Sequence, residues 1–136
     1  GCYLMARREA IETVGLLDED FFFFGEETDW CRRFLAHGYA VRFAPVGTIV
    51  HFGGGSSKSL NSKRDLMLSE ATVRLHRKHN GVVAAAAAWA ILLVFNTSRY
   101  AYWSLASLWK RASSARRKHF QGVVAGFHTA WPKVRQ

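Results

Sequence analysis

The chain has 136 residues, an apolar fraction of 49% and a formal net charge of +9. This length allows one domain with a modest hydrophobic core. The two cysteines, Cys2 and Cys31, give no framework of disulfides, so we expect a reduced, cytosolic setting. All ten acidic residues lie within residues 1–70, whereas residues 71–136 contain eleven lysines and arginines and no acid. This asymmetry predicts two regions with different roles.

The first fifty residues have the pattern of an α/β fold. The predicted order is a strand at 1–6, a helix at 7–14, a helix at 28–37, and strands at 39–43 and 48–52. Gly15 and Gly38 are placed to end the two helices. The first residue is a glycine inside the first predicted strand, and we therefore expect the sequence to be a piece of a longer protein.

Three carboxylates at the start of the second helix are the most informative local feature. Glu26, Glu27 and Asp29 follow the four aromatic residues 21–24, and carboxylates this close repel one another. One interpretation is a capping cluster that the positive end of the helix dipole favours. The other is a general base held in a partly apolar pocket.

A single histidine follows the next apolar run. His51 ends the segment 48–51, where it is either a metal ligand presented from a strand end or a packed structural residue. The glycine- and serine-rich segment 53–62 then predicts a loop. That loop is either a linker between the two regions or a mobile loop that closes over substrate.

The second region predicts helices that associate with a membrane. Residues 62–79 have the pattern of a basic amphipathic helix that ends at Asn80 and Gly81. The apolar run 82–95 is shorter than the roughly 20 residues that a spanning helix needs. We therefore expect an interfacial or re-entrant helix pair, with tryptophans, tyrosines and a basic patch at headgroup level. A buried helical hairpin with a solvated basic face is the alternative.

Several separated motifs, in order, carry a family resemblance. They are GCYLMARREAIETVGLLDEDFF, then FGEETDWCRRFLAHGY, then IVHFGGGS. Residues 1–80 resemble the C-terminal half of family 2 glycosyltransferases and are most similar to the rhamnosyltransferase-like bacterial enzymes. The resemblance implies an α/β fold, namely the acceptor-side half of a GT-A domain at 1–60, then a basic helix at 61–80 and an apolar, basic, α-helical membrane-proximal tail at 81–136.

The same resemblance implies roles for individual residues. Glu27 is similar in position to the base that deprotonates the acceptor hydroxyl, with Glu26 contacting the acceptor or acting instead. His51 resembles a histidine that helps to hold a divalent cation, Mg²⁺ or Mn²⁺, on the diphosphate. The remaining expected substrate contacts are Gly1, Cys2, Asp29, Trp30, Gly54 and Ser56.

The implied reaction is an inverting transfer of a sugar from a nucleotide-diphosphate donor to a hydroxyl of a glycan or lipid-linked acceptor. We expect the enzyme to lie on an anionic membrane surface, at the cytoplasmic face of the inner membrane, either peripherally or anchored by its tail. The alternative is a non-catalytic module that binds anionic lipid. Nucleic-acid binding is not expected, because no recognised motif accompanies the basic residues.

Overall fold

The computed structural model describes residues 3–51 and 61–133, which form four α-helices. These are α1 (Arg8–Val14), α2 (Glu26–Ala36), α3 (Ser62–Ala106) and α4 (Ser114–Gly126), with 3₁₀ turns at Arg111–Ser113 and Phe127–Ala130. The chain divides into two compact units, Gly1–Gly55 and Ser56–Gln136. We refer to them as the first unit and the second unit.

The predicted α/β fold class is wrong, because the described residues contain helices and no strand. The segments predicted as strands at 39–43 and 48–51 are coil, and residues 3–6 are likewise without strand structure. Residues 1, 2 and 52 lie outside the described part. Alternating apolar residues make a strand only when a neighbouring strand accepts their backbone hydrogen bonds, and no described segment does so.

Both helices of the first unit are close to their predicted positions. α1 is followed by Gly15, whose φ of 85° is one that glycine adopts readily. The Gly15 N–H donates to the carbonyl of Ile11. α2 begins two residues earlier than predicted and ends at Ala36, before the left-handed Gly38. Trp30 and Phe34 stack one turn apart with ring centroids 4.9 Å apart, as their spacing predicts.

An acidic turn places one aromatic side chain in the core of the first unit. The Asp20 N–H donates to Asp18 Oδ1, and the Phe21 N–H donates to the Asp18 carbonyl. Phe21 is thereby buried, whereas Phe22 is 85% exposed. The other buried apolar side chains described in this unit are Ala10 and Phe34.

The long helix α3 is interrupted at Gly81, where the sequence predicts a helix end. The φ of 86° and ψ of 174° at Gly81 are not helical. Only glycine adopts this combination without strain. We call residues 62–80 the first limb and residues 82–106 the second limb; the second limb continues through Asn96 and Arg99 without a break.

The two limbs fold back on each other. Asp65 bonds to His119, while Arg99 lies over the ring of the next residue, Phe120, at 4.2 Å. A straight helix would separate Asp65 and Arg99 by about 50 Å. The chain therefore reverses at Gly81, and α4 packs against both limbs.

An apolar cluster on α4 and the turn after it forms the core of the second unit. Its buried members are Phe120, Val123, Phe127 and Ala130. The partly buried residues packed against it are Leu66, Trp89, Leu92, Leu93, Tyr100 and Trp103. The approach is close at Gly126, where an added Cβ would lie 2.6 Å from Leu66 Cδ1. Within α3, composition and length alone would allow one stretch to cross a membrane.

Candidate functional site

The predicted acids lie in the first turn of α2. Gly25 precedes the helix in a left-handed conformation, with φ of 89°, and its carbonyl accepts from the Asp29 N–H at 2.8 Å. No side chain caps this helix start. Glu26, Glu27 and Asp29 therefore sit where unpaired backbone N–H groups and the positive end of the dipole favour negative charge.

Side chains of α2 bind three consecutive carbonyls at the end of α1. Trp30 Nε1 donates to the Gly15 carbonyl at 2.8 Å. Arg33 donates to the carbonyls of Val14 at 2.8 Å and Leu16 at 2.7 Å. We call this set of three bonds the carbonyl clamp. It satisfies acceptors that the end of a helix leaves without partners.

A buried ion pair holds the clamp arginine in place. Arg33 Nε donates to Asp29 Oδ2 at 2.8 Å, and Asp29 is fully buried. A buried carboxylate is tolerated only when it is paired and hydrogen-bonded, which Arg33 provides. The Asp29 carboxylate thus binds a side chain one turn further along its own helix, and it fixes the orientation of the Arg33 guanidinium.

The two glutamates differ in their surroundings. Glu26 Oε2 is buried and accepts no hydrogen bond from the described residues. Hydrogen bonding lowers the pKa of Glu27, while burial acts in the opposite direction. Glu27 is therefore a carboxylate at neutral pH, which a proton acceptor must be.

The remaining predicted residues are not brought together by the described structure. His51 is exposed in coil at the end of a described segment. Among the described residues, no group of three or more His, Cys, Asp or Glu side chains is close enough to hold a metal ion. Gly1, Cys2, Gly54 and Ser56 lie outside the described residues. The described part alone thus offers one candidate ligand for a divalent cation and no complete site.

Sequence reasoning did not identify Arg33 as part of the site. Its side chain is only 18% exposed and makes three bonds. The i,i+4 spacing from Asp29 was the available signal, because acids and arginines one turn apart pair on a helix. The carbonyls of residues 14–16 could not be assigned as partners, since this contact depends on tertiary structure.

Comparison with known proteins adds one partial similarity. A 53-residue stretch is 38% identical to the dTDP-rhamnosyl transferase RfbF of Shigella flexneri. The match covers 39% of this chain and 18% of that protein, so it spans less than a fifth of the relative's length. No family model matches the chain, and no solved structure does. Over this stretch the chain is similar to a sugar-transferring enzyme.

Proposed function

We propose that this chain is part of a glycosyltransferase that transfers a sugar from a nucleotide-diphosphate donor to a hydroxyl of a glycan or lipid-linked acceptor. The observation that carries the proposal is the 38% identity to a dTDP-rhamnosyl transferase over 53 residues. The rhamnosyltransferase-like character and the inverting outcome belong to the same proposal. So does a location at the cytoplasmic face of the inner membrane.

Glu27 is the proposed base. Attack on the donor sugar requires removal of the proton from the acceptor hydroxyl, and a carboxylate at the start of a rigid helix is a suitable proton acceptor. A glutamate side chain exposed to its ordinary surroundings is already ionised at neutral pH, before the acceptor binds.

Glu26 is the proposed acceptor contact. Its buried Oε2 has no donor among the described residues, and a buried acceptor without a donor is unfavourable. A hydroxyl of the acceptor would supply that hydrogen bond.

Asp29 and Trp30 are proposed to position this pair. Both are joined to the carbonyl clamp, Asp29 through Arg33 and Trp30 directly. The clamp holds the first turn of α2 against the end of α1, so the direction of the two glutamates is fixed by bonds that they do not make. This arrangement favours positioning over direct substrate contact for Asp29, whose carboxylate is fully buried.

A divalent cation, Mg²⁺ or Mn²⁺, would neutralise the charge that develops on the departing nucleoside diphosphate. His51 is the ligand that this chain would contribute, and the other ligands would come from outside the described residues. Gly1, Cys2, Gly54 and Ser56 remain proposed donor-side or acceptor-side contacts.

Turnover of the full-length protein that contains this chain tests the proposal. Nucleotide sugars, including dTDP-rhamnose, are offered with a polyprenyl-linked acceptor, with and without Mn²⁺ or Mg²⁺. We expect transfer to be lost in Glu27→Gln, because the amide cannot accept the proton. We expect metal-dependent transfer to be lowered in His51→Ala, because a metal ligand is removed. Glu12→Gln, which removes an exposed acid from α1, is the matched control and should leave turnover unchanged.

Circular dichroism of each variant separates lost chemistry from lost folding. Unchanged turnover in folded Glu27→Gln would contradict the assignment of the base. Absence of transfer with every donor would favour a second candidate, a non-catalytic module that binds anionic lipid. The exposed apolar side of the second limb is the observation that supports this second candidate.

A further inference from the structure

The second limb has an inner and an outer side. Its inner residues pack on the core of α4. On its outer side, six large apolar side chains are 52–80% exposed, namely Val83, Ile91, Val94, Phe95, Tyr102 and Leu105. Their spacing by three, four, seven or eight residues, with one adjacent pair, places them along one stripe of the helix. We call this stripe the apolar face; it is about 33 Å long.

The helical spacing places the polar residue Ser98 within the apolar face, whereas Asn96 lies off it. Asn96 is buried on the inner side, and its Nδ2 donates to the Leu92 carbonyl at 2.8 Å. The Ser98 hydroxyl is satisfied by the Phe95 carbonyl at 2.7 Å. Residues 82–98 contain no charged side chain. A surface with its hydrogen bonds satisfied internally is what contact with hydrocarbon requires.

Cations are concentrated beside one end of the apolar face. This cationic end comprises Arg99, Lys110, Arg111, Arg116, Arg117 and Lys118, all exposed. Arg99 lies over the ring of Phe95 at 5.2 Å, and Arg116 lies over the ring of Trp103 at 4.5 Å. The two acids of the unit are already engaged, Asp65 with His119 and Glu70 with Arg74. The positive charge therefore faces solvent and is complementary to an anionic surface.

The reversal of the chain at Gly81 determines how the second unit can lie on an anionic surface. The first limb runs beside the second and carries five cations, Lys63, Arg64, Arg74, Arg77 and Lys78. If the second limb crossed a bilayer, the adjacent first limb would bring these charges into hydrocarbon, which is unfavourable. With the second limb parallel to the membrane plane, the apolar face alone enters the lipid.

We propose that the second unit docks on an anionic lipid bilayer, with the apolar face buried in the headgroup and acyl boundary and the cationic end on the headgroups. Exposed Tyr102 and Trp109 belong to the residue types that settle at this depth. The docking deepens the membrane location that belongs to the proposed function, and because it needs no catalytic residue, a failure of sugar transfer would not contradict it.

Vesicle binding by the full-length protein tests the apolar face. Co-sedimentation is compared on phosphatidylcholine vesicles and on mixed phosphatidylcholine and phosphatidylglycerol vesicles. We expect binding to the anionic mixture that falls about tenfold or more in Val94→Asp, because a charge then enters the boundary region. Leu68→Asp, at a 46% exposed apolar site on the first limb, is the matched control and should bind as wild type.

A second pair of variants tests the cationic end. We expect Arg117→Ala with Lys118→Ala to lower binding by about 25-fold, since each basic residue near the surface contributes about fivefold. Removing the same charge elsewhere, in Arg42→Ala with Lys133→Ala, should lower it much less. Equal binding to both vesicle types, or equal loss in the two double variants, would overturn the proposal.

The in-plane orientation has its own measurement. Alkaline carbonate should release the full-length protein from native membranes, because a helix lying in the boundary region is extracted and a spanning helix is not. Retention in the pellet would overturn this orientation. A dimer in solution that dissociates in Val94→Asp, without vesicle binding by wild type, would show that a second copy covers the apolar face instead of lipid.

Discussion

Each unit is stabilised internally by a different kind of interaction. In the first unit, the buried Asp29 holds Arg33, which with Trp30 binds three carbonyls at the end of α1. In the second unit, an apolar cluster centred on Phe127 joins α4 to both limbs of α3. The comparison indicates that the first unit depends on the geometry of a few polar bonds, and the second on the area of apolar surface removed from water.

Apolar side chains are used differently in the two units. Phe43, Val46 and Val50 of the first unit are 93%, 86% and 78% exposed, so the segment that contains them adds little to its core. In the second unit, exposed apolar residues occupy one side of a helix whose other side is packed. Exposure in the first unit therefore follows from a coil segment that packs on no described neighbouring element, and in the second from a helix with only one side covered.

Truncation of the central core residue should have the largest effect. Phe127→Ala removes a side chain that is 1% exposed and stacks on Trp89 with a centroid distance of 5.5 Å. We expect the free energy of unfolding of the second unit to fall by about 3–5 kcal/mol. Urea unfolding followed by helical circular dichroism measures this change.

Phe95→Ala is the matched control, because Phe95 is 52% exposed on the apolar face. In solution its truncation should lower the free energy of unfolding by less than about 1 kcal/mol. Equal losses in the two variants would contradict the position of the core on α4.

The next largest effect should come from Arg33, the arginine of the carbonyl clamp. Arg33→Ala removes the arginine that pairs with the fully buried Asp29 carboxylate, and loss of one member of a buried pair lowers the free energy of unfolding by about 3 kcal/mol or more. Hydrogen exchange of the amides in 8–14 and 26–36 measures the effect where it occurs. The same peptides in Arg8→Ala, which removes an exposed arginine, should exchange as in wild type.

The double variant Asp29→Asn with Arg33→Ala sharpens this test. A buried amide without an ionic partner costs less free energy than a buried carboxylate without one. Part of the protection from hydrogen exchange that Arg33→Ala removes should therefore return. A first unit that is unaffected by Arg33→Ala would mean that the clamp does not stabilise it.

Much of the helical structure could be predicted from the sequence, because helices depend on local patterns. Gly15, Gly38 and Gly81 each mark a change of direction that the structure contains. The Trp30 and Phe34 pair was also predictable, because i,i+4 neighbours meet on any helix. The absence of strands from the described residues could not be predicted in the same way, since strand pairing depends on a second segment as well as on the alternating pattern.

The candidate site was predictable only in part, for a related reason. The acids in the first turn of α2 were evident from composition and from the resemblance. The role of Asp29 was not, because its pairing with Arg33 is meaningful only once the end of α1 lies beside α2. The reversal at Gly81 likewise needed the contacts of Asp65 and Arg99 with neighbouring residues of α4.

The reversal at Gly81 should show a moderate effect. Gly81→Ala places a Cβ at φ 86° and ψ 174°, a conformation that costs about 1–3 kcal/mol for residues other than glycine. We expect the free energy of unfolding of the second unit to fall by this amount in urea titrations. Gly47→Ala is the control, because nothing lies within 4 Å of its added Cβ and its φ is not positive.

The smallest effect should come from the tryptophan of the clamp. Trp30→Phe removes the bond to the Gly15 carbonyl but keeps an aromatic ring beside Phe34, so we expect a loss of about 1 kcal/mol by hydrogen exchange. Combining it with Arg33→Ala asks whether the clamp acts as a unit, since the two side chains bind adjacent carbonyls. A coupling energy of about 0.5 kcal/mol or more would show that each bond holds the chain in place for the other. Additive losses would mean that α2 binds the end of α1 through independent contacts, and the first unit would then tolerate loss of either one.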